Sequence, residues 1–173
     1  VGHLLLDIEA PTGVYAKVNP PIRPREDVEF LWRMVLEGKV DWIVSDHACC
    51  SAEQKVDSKE SNNVFLAKAG FGGTEYLLSG VFSEGSKRGM SYNKMARLLC
   101  WNPSRRYGLL AKGDIAVGYD ADLVLLDPRD TQEHLHHIPL NNHRTSMSHR
   151  HCLPLDQNYM HQSRYNHRLA LAE

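Results

Sequence analysis

The sequence predicts an α/β domain built on a parallel sheet, with a smaller β region after it. Three observations predict this. Between about residues 14 and 45 an alternating run, an apolar-striped helix and a second apolar run follow one another. That succession is a βαβ unit, whose two parallel strands end on the same side. Apolar residues then recur at helical spacing as far as Gly108, after which turns and short β-branched runs take over.

The elements follow in order. Leu4 to Leu6 is a short apolar run ending in Asp7, broken by Glu9-Ala-Pro-Thr-Gly13. Residues 14–18 read as a strand, with Tyr15 and Lys17 alternating against Val14, Ala16 and Val18. Asn19-Pro20-Pro21 stops it, because the prolines rigidify the loop and forbid a helix there. Val28, Leu31, Trp32, Val35 and Leu36 then fall at i, i+3, i+4, i+7 and i+8, the apolar stripe of a helix. Pro24, Glu26 and Asp27 suit its N-terminus and Gly38 its end. Residues 40–44 form an apolar run of strand length, expected to be buried, and Ser45, Asp46 and His47 lie where it leaves the sheet. Residues 51–63 are polar without periodicity, a candidate lid. Gly70-Phe-Gly-Gly73 leads into a helix through Tyr76, Leu77, Val81 and Phe82. Ser91 caps a third helix through Met95, Leu98 and Leu99, and Asn102-Pro103 starts a fourth. Lys112-Gly113, Val117-Gly118 and Asp120-Ala-Asp122 precede the apolar residues 123–126, the edge of a small β domain.

Composition removes several function classes. The chain has 173 residues, 42% hydrophobic and 24% charged, with a net charge of −1, as an ordinary soluble globular protein does. No basic block marks a nucleic-acid partner, and no apolar run approaches the ~20 residues of a membrane span. The start, Val-Gly-His-Leu-Leu-Leu-Asp, lacks a signal peptide's basic region and cleavage site. It also lacks an initiator Met, so a piece of something longer is expected. Cys49, Cys50, Cys100 and Cys152 follow no zinc-ribbon or disulfide-framework spacing, which points to a reduced, cytoplasmic protein.

Two residues carry the candidate chemistry. In parallel α/β folds, catalytic side chains collect at the C-terminal ends of strands. Asp46 there could ligate a metal or act as a general base, or could cap the next turn while His47 fills space. Asn19 falls on the same face, as a binding group or as a turn residue. The glycines before Thr74 could present N–H groups to an anion or carbonyl, although they match neither a dinucleotide fingerprint nor a Walker loop.

Taken together, five stretches resemble the cyclic amidohydrolases: dihydroorotase, allantoinase and hydantoinase or dihydropyrimidinase. They are Lys17-Val-Asn-Pro-Pro-Ile-Arg23, Val40-Asp-Trp-Ile-Val-Ser-Asp-His-Ala48, Gly70-Phe-Gly-Gly-Thr-Glu75, Asn102-Pro-Ser-Arg-Arg-Tyr-Gly108 and the run from Gly113 to Asp127. The resemblance covers about residues 3–130, the last third of such an enzyme. It implies the last strands and helices of a TIM-like (β/α)8 barrel over residues 1–108, an incomplete domain. Residues 109–130 would then be part of a composite β-sandwich. It implies a binuclear zinc site that activates water against a cyclic amide carbonyl. Asp46 would be a metal ligand and the proton shuttle to the leaving nitrogen. Asn19, Gly72 and Gly73 would hold the substrate ring. Cys50 stands where dihydroorotases carry a substrate-binding His, which argues against dihydroorotate. The remaining metal ligands of the family belong to earlier strands, so this chain alone is expected to be inactive and unstable. The complete enzyme would act on a small cyclic amide or ureide, as a homo-oligomer without nucleic acid or membrane partners. A non-catalytic amidohydrolase-like scaffold, or a degenerate fragment, is the alternative. Residues 131–173 fit no family strand and hold eight of the ten His. A disordered or out-of-frame extension is expected there, with a metal-binding tail as the other reading.

Overall fold

A computed structural model describes residues 1–9, 13–48, 52–56, 63–128 and 170–171. The elements are α1 (Gly2–Leu5), a 3-10 turn (Gly13–Ala16), α2 (Arg25–Leu36), α3 (Ala52–Lys55), and a second 3-10 turn (Thr74–Tyr76) that runs into α4 (Leu77–Lys87). Next come α5 (Tyr92–Ala96), a π-helical segment (Arg97–Trp101) and α6 (Asn102–Arg106), continuous with one another. β1 (Val124–Leu125) pairs antiparallel with β2 (Ala170–Leu171), Val124 opposite Leu171.

The expected helices form where the apolar period placed them. α2 buries Val28, Trp32 and Val35 along one face, against Leu4, Ile43, Val81, Phe82, Met95 and Leu98. Each such side chain contributes about 1.5–3 kcal/mol on leaving water. Trp32 is 1% exposed, and its indole N–H donates to the Leu4 carbonyl at 2.8 Å, so its polar end is satisfied inside the core. Ser91 caps α5 by accepting from the Lys94 N–H at 3.3 Å.

Arg88, just past α4, ties α4 to α2. Its guanidinium lies 4.8 Å from the centre of the Trp32 ring and pairs with Glu29 at 2.8 Å and Glu84 at 2.7 Å. Burial alone would raise the Glu84 carboxyl. Hydrogen bonds from Lys87 and Arg88, with their charges, outweigh it and hold the group below the usual carboxylate range.

The strand expectations need correction. Residues 14–18 are not a strand: Lys17 N–H donates back to Val14 O at 3.2 Å, closing a tight turn. Among the described residues no neighbouring strand offers a ladder there, so local bonds satisfy the backbone instead. Leu4 and Leu5 are helical as well. Residues 40–48 have no regular secondary structure and join no sheet; Ile43 N–H donates to Leu98 O at 3.1 Å, on the helical segment beside it. Ile43 is buried as expected, whereas Val44 is 46% exposed. The parallel βαβ sheet is thus not formed among the described residues. α3 interrupts the stretch read as aperiodic.

After α6 the chain runs through turns held by Asp120 N–H on Ala111 O at 2.8 Å and by Lys112, which pairs with Asp120 at 2.9 Å and with Asp122. These two carboxylates hydrogen-bond the Lys112 ammonium and raise its pKa above the ordinary lysine value. Leu110, Ile115 and Val117 are 81%, 85% and 105% exposed, so this region packs little of its apolar surface. No helix among the described residues is long and apolar enough to cross a membrane. The 131–173 tail lies outside the described residues except for β2.

Candidate functional site

The site grows from the end of the 40–48 segment. Asp46 has φ 51°, the one non-glycine residue with a positive φ among those described, and it is exposed. Left-handed backbone disfavours a residue with a Cβ, and Asp tolerates it better than most. It persists here because its neighbours are held on both sides.

His47 Nδ1 accepts from Gly73 N–H at 3.1 Å and from Thr74 N–H at 3.2 Å. An acceptor at Nδ1 places the ring proton on Nε2. On the other side Ala48 N–H donates to Phe71 O at 3.1 Å, and the Ser45 and Thr74 hydroxyls lie 3.5 Å apart. The Gly70–Thr74 segment is thereby strapped across the end of the 40–48 run. Glycine is required at position 70: φ is +101°, and a Cβ would stand 2.5 Å from the Ala48 Cβ. A Cβ at Gly73 would stand 3.2 Å from Ser45 O.

Lys55 fastens a third segment. It is 1% exposed, and its ammonium donates to Lys17 O at 2.7 Å and Gly70 O at 2.5 Å. Gly70 N–H also donates to Lys17 O, at 2.9 Å. Two residues on, Asn19 is exposed before a cis peptide to Pro20, whose carbonyl lies 2.9 Å from His3 Nε2.

Bonds within this site therefore join the segments carrying Asp46, Gly72 and Gly73 directly, and the Asn19 loop through Lys17. Cys50 lies outside the described residues. The Gly73 N–H is committed to His47, so the glycine segment does not offer that donor outward. Sequence reasoning missed Lys55, one of several charged residues in a stretch without periodicity, and missed the latching role of His47.

Zinc takes three or four protein ligands. Among the described residues no group of three or more His, Cys, Asp or Glu could hold a metal ion. Asp46 offers one carboxylate, and the Nδ1 of His47 is already used. These residues alone do not fit a zinc centre.

Comparison with known proteins adds the relatives. A family model described as "Amidohydrolase family" matches residues 15–151, running past residue 130 into the tail. The allantoinase of Rubrobacter xylanophilus is 44% identical over 117 residues, covering 67% of this chain and 25% of that protein. The allantoinase of Bacillus licheniformis is 38% identical over 115 residues, covering 66% and 24%. Among solved structures, the D-hydantoinase (dihydropyrimidinase) from Thermus sp. superposes with a TM-score of 0.70 at 28% identity, covering 77% of this chain and 30% of that one. The L-hydantoinase (dihydropyrimidinase) from Arthrobacter aurescens gives 0.70 at 30% identity, covering 76% and 30%. The chain spans about a quarter of the length of the curated relatives it matches.

Proposed function

The chain belongs to the amidohydrolase family, and from that premise we propose that it carries the acid–base end of an enzyme hydrolysing the C–N bond of a cyclic amide or ureide. The observation that carries this reading is Asp46: an exposed carboxylate in left-handed backbone, its following residue latched to the opposite strap. Its matched relatives include allantoinases, and its structural neighbours hydantoinases.

In this reading water adds to the ring carbonyl while Asp46 takes its proton, and Asp46 then delivers that proton to the leaving ring nitrogen. The C–N bond breaks, a C–O bond forms, and the carboxylate ends as it began. Asn19 and Cys50 are the further substrate-binding residues of this reading, with the backbone at Gly72 and Gly73 forming part of the floor. The latch and the Lys55 bridge hold these segments in register, so the carboxylate meets the ring without first being ordered. Asp46 is also the one oxygen donor offered here to a metal, zinc by expectation, whose other ligands would come from beyond the described residues.

The finer fold belongs to the same proposal. The segment at 40–48, which joins no sheet among the described residues, would be a barrel strand whose neighbours lie elsewhere in a longer chain. The complete enzyme would be a cytoplasmic homo-oligomer. The test is to express the longest open reading frame containing this sequence and assay ring opening of allantoin, hydantoin and dihydrouracil, with the 173-residue chain beside it. Turnover of at least one ring by the long form and none by the short form is expected. No turnover by a folded, zinc-loaded long form would favour the non-catalytic scaffold.

A further inference from the structure

We propose that a basic cleft lined by residues 38–42 and by the helical run from Asn93 to Arg106 binds a phosphate-bearing small anion. The cleft is open to solvent and has a volume of about 680 Å³, within the usual range for small-molecule sites. Its wall includes Lys94, Arg97, Arg105 and Arg106, with Asp41 as the one carboxylate-bearing residue and Trp42 as the aromatic surface. None of Asn19, Asp46, His47, Gly72 or Gly73 lines it, so this cleft is separate from the candidate site.

Charge balance points to the ligand. Salt bridges elsewhere neutralise Arg23, Arg25, Lys87, Arg88 and Lys112. None of the four cations in the cleft has an ion pair among the described residues. Two are held by neutral partners: Lys94 donates to Leu36 O, and Arg105 lies 4.0 Å from the Trp101 ring centre while donating to the Tyr119 hydroxyl at 2.9 Å. They are positioned without being neutralised. Arg97 and Arg106 are exposed, free to close on a bound group.

Such unpaired cations repel one another until an anion enters between them. Guanidinium forks match phosphate oxygens in pairs, and several cations against one carboxylate suit a diphosphate better than a single carboxylate. Trp42 is half-buried, and the Tyr107 ring meets it at 6.2 Å and 65°. A fixed indole surface can stack a planar ring attached to the phosphates. The π-helical segment supplies Arg97 to the cleft, and such segments often occur at binding sites.

The test is calorimetric titration of the full 173-residue chain with inorganic pyrophosphate and with ADP at low salt, repeated for the double variant Arg97→Glu/Arg106→Glu. Both side chains are exposed, so the variant is expected to keep the parent's circular-dichroism melt. Binding of either probe that weakens with added salt, and by more than about tenfold in the double variant, is the expected result. Should the variant melt differently, Arg97→Gln alone is titrated against the same standard. Equal affinity for the two probes makes the phosphates the whole determinant. Tighter ADP binding, lost in Trp42→Ala, adds the ring. No binding to the parent, or binding unchanged by the arginine substitutions, overturns the proposal.

Discussion

At the scale of single residues, the site depends on a histidine that is bonded to backbone. His47 accepts two N–H groups from the strap, and each such bond is worth about 0.5–1.5 kcal/mol net. His47→Ala is expected to lower stability by roughly 1–2 kcal/mol and to speed hydrogen exchange at Gly73 and Thr74 more than at the core of α2. His47→Asn, which can still present an acceptor, should recover part of the protection. Uniform loss across the chain would mean His47 holds the global fold instead. Asp46 was legible in the sequence because an apolar run ending in Ser-Asp-His marks where a chain leaves a core. Lys55 was not, since burial of one lysine depends on two carbonyls, Lys17 O and Gly70 O, that only tertiary folding brings together.

At the scale of elements, the helices were readable and the strands were not. α2 and α4 announce themselves by a period of 3.6, and the i→i+4 bonds they need lie within their own residues. Residues 14–18 and 40–44 have strand composition, but a strand exists only with a neighbour to bond to. Lacking one among the described residues, the first became a 3-10 turn and the second a run without regular structure, bonded to Leu98. The pairing of α2 with α4 runs through Arg88, so Arg88→Ala is expected to cost about 1–2 kcal/mol in a denaturant melt. The pH dependence follows from Glu84, whose carboxyl is held below its ordinary value. A depressed acid stabilises the fold above its unfolded pKa, and that contribution is lost as pH falls through the folded pKa. Parent protein should therefore lose stability below about pH 5, and Glu84→Gln should show a shallower acid slope. An identical slope in the variant would remove Glu84 from the account.

At the scale of the whole molecule, several large apolar side chains among the described residues are exposed. Phe65, Leu110, Ile115 and Val117 are each more than four-fifths exposed. The 173-residue chain is accordingly expected to bind a hydrophobic dye such as ANS and to associate as its concentration rises. A monomer that unfolds cooperatively without binding the dye would contradict this. The longer reading frame is expected to lose the dye signal.

The proposed role of Asp46 in moving the proton during ring opening is tested most directly by steady-state kinetics of the ring-opening form and of its Asp46→Asn variant, with ring binding measured beside them. A fall in kcat of roughly 10³-fold or more is expected in the variant, which stays folded and still binds the ring. A folded variant that retains kcat within about tenfold would contradict this role for Asp46.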